Sequence, residues 1–147
     1  MDKFHPKLKT PICEKLGIDY PIIQTGMGWV SSSQLTAATC RTGAIGFLAT
    51  ATQTFTEMKS SVREIKEATE KPFGINVRTD SPDIEERLDW AIKEGVKVVS
   101  FAQAPKPEMV KKLSGSGVIT IPTIAARRHA EKVAEWGVDA VIAQGQE

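Results

Sequence analysis

The chain has 147 residues, of which 41% are hydrophobic and 25% charged, and a net charge of +1. That is an ordinary globular composition, long enough for one core-bearing domain, and its near-neutral charge gives no ground for a nucleic-acid or acidic partner. No apolar stretch approaches the roughly 18 residues of a membrane span, no secretory signal is legible, and Cys13 and Cys40 lack metal-ligand spacing, which points to a reducing cytoplasm and no metal.

The first twenty or so residues, with Pro6, Pro11 and Gly17, read as an irregular lead-in or a small hairpin. Pro21 to Ser32, PIIQTGMGWVSS, then joins an apolar run to a glycine turn (Gly26-Met27-Gly28) and a helix start. Ser31 and Gln34 have the spacing of a capping pair. Strand, glycine turn and helix N-terminus either make a plain tight turn or bring backbone close to a flat or anionic cofactor. Glycine serves there because it leaves no Cβ in the way and tolerates unusual φ.

Six short apolar runs follow one another: Ile22-Ile23-Gln24, Ala44 to Ala49, Phe73 to Val77, Val96 to Phe101, Val118 to Pro122 and Ala140 to Ala143. Near-continuous runs of this kind are strands buried on both faces of a parallel sheet. Five amphipathic stretches separate them. Leu35 and Ala38 mark the first helix, closed by Gly43. Met58, Val62 and Ile65 mark the second, begun by a capping box from Thr54 to Glu57. Ile84, Leu88, Ala91 and Ile92 mark the third, with Ser81-Pro82 at its start and Gly95 at its end. Met109, Val110 and Leu113 follow Pro107 in the fourth; Ala126, Ala130, Val133 and Ala134 precede Gly137 in the fifth. Successive βα units fit an open doubly wound sheet or a (β/α)8 barrel cut short, since a whole barrel takes about 250 residues.

The segments YPIIQTGMGWVSS (20–32), TGAIGFLAT (42–50), KPFGINV (71–77), GVKVVSFAQAP (95–105), GVITIPTI (117–124) and GVDAVIAQGQE (137–147) resemble, in order, the nitronate monooxygenase family, formerly 2-nitropropane dioxygenases, and the related enoyl-acyl-carrier-protein reductase II enzymes. The resemblance implies an α/β fold of the (β/α)8 TIM-barrel type, here about six parallel strands and five helices in one partial domain spanning residues 1–147. It implies FMN at the C-terminal ends of the strands, and oxidation of an alkyl nitronate with O2. The rival branch reduces an enoyl thioester with NAD(P)H; a rival of another class is a catalytically silent part-barrel that serves as an interaction module.

Carried over residue by residue, the resemblance makes Gly26, Met27 and Gly28 the loop whose backbone packs on FMN. Asn76 and Gln144-Gly145 then reach the flavin ring, Thr123 lines the site and Gln103 faces substrate. Neutral amides suit the ring's pyrimidine edge because they both donate and accept. The same types also have blander uses: strand-end amides cap loops, and Met27 is a flexible packing residue.

Family members continue after the last motif as EAGGH, whose His is the proposed base; it would lie beyond Glu147, so no catalytic residue is assigned. His5, in the lead-in, and His129, on the outer ring, both read as surface histidines. With the last two strands and their phosphate-holding loops missing, the 147-residue chain is expected to bind FMN weakly, to show no nitronate turnover and to self-associate through its open sheet edges.

Overall fold

Every apolar run becomes a strand, and a helix fills every interval between runs. The computed structural model of the chain describes residues 6–145, so His5 and Glu147 lie outside the described residues. The strands are β1 (Ile23–Gln24), β2 (Ile45–Ala49), β3 (Gly74–Val77), β4 (Val98–Phe101), β5 (Ile119–Ile124) and β6 (Ile142–Ala143). Each starts one or two residues inside its apolar run. The helices between strands are α2 (Ser33–Arg41), α3 (Phe55–Ala68), α4 (Ile84–Lys93), α5 (Pro107–Gly115) and α6 (Arg127–Ala134). The lead-in differs from its reading as an irregular stretch or hairpin. It holds a 3-10 turn, Pro6–Leu8, and a helix, α1 (Pro11–Leu16), that buries Cys13 and Leu16. The proline and glycine that looked like loop punctuation are helix punctuation: Pro11 opens α1, and Gly17, at φ 72, closes it.

The chain divides into two compact units, Met1–Gly74 and Ile75–Glu147. In the first, β1 pairs parallel to β2 with Ile23 opposite Ile45 and Gln24 opposite Gly46. All of β2 is buried, and Met58, Val62 and Ile65 of α3 fill the core as expected. The capping box at Thr54 and Glu57 is present in both directions: the Thr54 N–H donates to Glu57 Oε2 at 2.7 Å and the Glu57 N–H to Thr54 Oγ1 at 3.3 Å.

Helix α2 turns a different face inward from the one its apolar residues suggest. Leu35 is half-buried and Ala38 exposed, while Ser33, Thr36, Ala37 and Cys40 are buried. The cause is close approach. A Cβ on Gly46 would stand 2.6 Å from the Thr36 carbonyl oxygen, so only short side chains fit along that seam. Their polar atoms are satisfied locally: Thr36 Oγ1 donates to the Ser32 carbonyl at 2.7 Å, Ser33 Oγ donates to Glu64 of α3, and the Gly46 N–H donates to Cys40 Sγ at 3.3 Å. Burial pushes the Cys40 thiol pKa up. The cap also shifts by one residue. Ser32, not Ser31, accepts from the Leu35 N–H at 3.3 Å.

In the second unit the strand order is β3-β4-β5-β6. Val98 through Phe101 pair parallel with Ile119 through Pro122, and Thr123 and Ile124 with Ile142 and Ala143. Order and direction both follow the chain, without the midway reversal of a doubly wound sheet. Ile84, Leu88 and Ala91 of α4 are buried as expected, as are Met109, Val110 and Leu113 of α5. Helix α4 begins after Asp83 rather than at Ser81-Pro82; the Asp83 carboxylate pairs with Arg87 one turn on, at 2.9 Å, instead of capping. In α6 only Val133 of the expected stripe is buried, and Ala134 is exposed. Alanine side chains carry too little apolar area to fix which way a short helix faces.

Candidate functional site

The loop after β1 is held by one hydroxyl. Ser31, fully buried, accepts from Gln24 Nε2 at 2.9 Å and from the Met27 N–H at 2.8 Å, and donates to the Thr25 carbonyl at 2.9 Å. Gln24 Nε2 also reaches the Thr25 and Phe47 carbonyls. The loop is closed again where the Val30 N–H donates to the Met27 carbonyl. Between these ties Gly28 adopts φ 46, with open space where a Cβ would point. Glycine is required there for conformation, not for clearance. Gly26 has no such φ. The rigid turn presents Met27, Trp29 and Val30 outward, Trp29 at 83% exposure. A cleft of about 340 Å³ lies against Gly28, Trp29 and Ser31, walled by Gln53, Ser61 and Glu64.

Three predicted site residues of the second unit come together. The β5–β6 register sets Thr123 opposite Ile142, and the Gln144 N–H donates to the Ile124 carbonyl at 2.9 Å. The approach to β6 is pinned by Asp139, whose carboxylate accepts from the Thr120 N–H at 2.9 Å. Thr123, Gln144 and Gly145 thereby line one cavity of about 510 Å³ with Ala102, Ala104 and His129. The cavity lies at the C-terminal ends of β4, β5 and β6, where barrel sites form. Among the described residues no carboxylate lines it. His129 is also on this wall. It is exposed, as its reading as a surface histidine expected, and from the first turn of α6 it also lines this cavity, a role the sequence did not give it.

Asn76 and Gln103 sit elsewhere in this unit. Asn76 is the penultimate residue of β3, only 8% exposed, and its Nδ2 donates to Ser100 Oγ of β4 at 2.8 Å. Gln103, in the loop after β4, joins a polar network with the loop after β3: Gln103 Nε2 donates to Asp80 Oδ2 at 3.4 Å, and Thr79 Oγ1 donates to Gln103 Oε1 at 3.3 Å. Arg78 grips Asp80 with two bonds, Nε to Oδ1 at 2.9 Å and an Nη to Oδ2 at 2.7 Å. That guanidinium holds the Asp80 carboxyl down at about 2.

Ser31, Gln24, Ser100 and His129 are the contributors that sequence reasoning did not assign to a site. Gln24 carried a signal, being a polar residue ending an apolar strand. Ser100 carried the same one inside its run, at the position facing Asn76.

A family model described as nitronate monooxygenase matches residues 9–92 and 84–147. Among curated proteins, the chain is 50% identical to the (3aS,4S,5R,7aS)-5-hydroxy-7a-methyl-1-oxo-octahydro-1H-indene-4-carboxyl-CoA dehydrogenase of Rhodococcus jostii, over 95% of this chain and 40% of that protein. It is 27% identical to the nitronate monooxygenase of Paraburkholderia phytofirmans, over 95% of this chain and 49% of the relative. Among solved structures, FabK from Thermotoga maritima superimposes with a TM-score of 0.88 at 30% identity, over 92% of this chain and 43% of that one. The chain thus spans between two fifths and one half of these relatives. Its fold is of the (β/α)-barrel type, with six parallel strands.

Proposed function

The chain belongs to the nitronate monooxygenase family, and on that premise we propose that it serves FMN-dependent oxidoreduction of an acyl-CoA thioester. The observation that carries the substrate class is the 50% identity to a protein named as a carboxyl-CoA dehydrogenase, against 27% to a named nitronate monooxygenase. FMN, when bound, supplies the acceptor for a hydride or for single electrons. The donor set of the second unit's cavity fits such a ring. Alanines and a glycine leave room for a flat group, while the Thr123 hydroxyl and the Gln144 amide donate and accept at its edge. In this reading Gln144 and Thr123 orient the ring and Gly145 lets it approach. Asn76, tied to Ser100, holds the sheet that carries them and is the amide of β3 assigned to the ring. Within the first unit taken by itself, Gly26, Met27 and Gly28 offer cofactor-facing backbone from a loop that Ser31 ties. Gln103 contacts substrate.

A second reading, oxidation of an alkyl nitronate with O2, is favoured by the family description and by the Paraburkholderia relative. A third, NAD(P)H-dependent reduction of an enoyl thioester, is favoured by the likeness to FabK. One experiment separates them. The protein with FMN is mixed without oxygen with a hydroxyacyl-CoA, an alkyl nitronate or NADPH, and flavin absorbance is followed. Bleaching by the CoA thioester alone is expected; bleaching only by the nitronate or only by NADPH sinks the first reading.

Two further parts of the proposal have their own support. Copies pair through sheet edges, since Ile22 beside β1 is 58% exposed and Val141 beside β6 is 39% exposed; a concentration-independent monomer in light scattering would remove this part. The protein works in the cytoplasm, in keeping with the free, buried thiols of Cys13 and Cys40. Among the described residues no helix is long and apolar enough to cross a membrane.

A further inference from the structure

We infer that Arg128 and His129 form a subsite for a phosphate group at the rim of the second unit's cavity. Resting on the acyl-CoA reading, it takes the phosphate-bearing end of coenzyme A. The FMN phosphate is the other source of the same chemistry.

The two adjacent arginines of α6 differ in a way their sequence hides. Arg127 Nε stands 2.7 Å from Glu131 Oε1, one turn along the same helix, in an exposed ion pair. Arg128 has no carboxylate partner among the described residues. Its contact is to the neighbouring imidazole, Nε donating to His129 Nε2 at 3.5 Å. One guanidinium N–H is used and the other four stay open. His129 also lines the cavity of Thr123 and Gln144, which ties the uncompensated cation to that mouth.

The wall of this cavity suits an anion. Its polar side chains are a hydroxyl, an amide and an imidazole, and among the described residues it has no carboxylate to repel one. A planar guanidinium matches a phosphate with two parallel bonds, stronger than neutral ones. Arg127 and Arg128 sit side by side at the start of α6. Both are exposed, and they differ in partner, Arg127 facing Glu131 and Arg128 the His129 ring.

Calorimetric titration of the 147-residue protein tests this with four probes: coenzyme A, pantetheine, FMN and riboflavin. Arg128→Gln is expected to weaken coenzyme A about tenfold and to flatten its salt dependence, leaving pantetheine unchanged. Arg128→Lys keeps part of the affinity, and Arg127→Gln changes it less than twofold. If instead FMN weakens and riboflavin does not, the subsite belongs to the flavin phosphate. Equal loss in Arg127→Gln and Arg128→Gln, or no loss in either, overturns the subsite. A failure of the acyl-CoA reading looks different: unaltered protein ignores coenzyme A yet oxidises a nitronate, and the subsite then stands or falls on the FMN–riboflavin difference. Circular dichroism identical to the unaltered protein is required of each variant, and Arg128→Lys carries the test if Arg128→Gln does not meet it.

Discussion

Gln24 and Ser31 are joined by a 2.9 Å hydrogen bond from the glutamine Nε2 to the serine hydroxyl, spanning the loop that holds Gly26, Met27 and Gly28. The same hydroxyl takes the Met27 N–H, so removing it strands that donor and leaves Gln24 Nε2 only its carbonyl partners. Ser31→Ala is expected to cost about 2 kcal/mol in urea unfolding, and to speed hydrogen exchange at Met27. Ser31→Thr, which keeps the hydroxyl, restores most of the loss. A Ser31→Ala protein as stable as the parent would show that the loop is held by other ties.

The α2–β2 seam is expected to refuse a single carbon. In Gly46→Ala the new Cβ would stand 2.6 Å from the Thr36 carbonyl oxygen and 2.8 Å from its Cα. Both are backbone atoms and neither can swing away. Overpacking of this kind costs about 3 kcal/mol, enough to lower the thermal midpoint by roughly 10 °C. A midpoint within a degree or two of the parent would mean that α2 can slide on β2.

Asp80 gives a pH signature. Its carboxyl is held at about 2 by the hydrogen-bonded Arg78 guanidinium, with a smaller contribution from Gln103. A depressed folded pKa contributes stability above the ordinary carboxylate range, lost as the pH falls through about 2. The pair is exposed, so its effect on stability is small, and the clean observable is the carboxyl titration itself. By carbon-detected NMR, Arg78→Gln is expected to return the Asp80 midpoint to the ordinary range. An unchanged midpoint would assign the shift to the loop backbone.

Gln144 is exposed at the end of β6 and its side chain carries no core packing. Gln144→Ala is therefore expected to leave stability within about 0.5 kcal/mol of the parent while weakening flavin binding about tenfold. Fluorescence quenching of FMN measures the second effect and riboflavin serves equally, since the contact proposed is to the ring. Loss of stability without loss of flavin affinity would make Gln144 a loop residue.

The strands were legible because β2, β3 and β4 are short and wholly buried, and nothing else in a sequence of this size looks like that. The helices of the second unit were legible for a similar reason, with Leu88 and Leu113 marking the inward face. Helix α2 was not. Its inner face is Ser33, Thr36, Ala37 and Cys40, and what makes those residues correct is Gly46, which no periodicity in α2 reveals. His129 is at the surface as expected, and its place on the cavity wall was not legible because the alanines around it gave α6 no direction. The glycine loop was legible as a turn, the flavin roles proposed for it and for the strand-end amides came from family resemblance, and the grouping of Thr123 with Gln144 follows from a register that only the paired strands define.

Both cysteines fall in the first unit, each buried, and the Cys40 thiol is held back from ionising. Neither will meet an alkylating reagent until its surroundings open. Thiol labelling in the folded protein is thus a clock for opening of residues 1–74 alone, silent about the rest of the chain. Trp90 and Trp136 emit from the second unit, and Trp29, already in water, adds a nearly constant background. With two dyes' worth of information built in, partial unfolding can be followed on each side without introducing a single label.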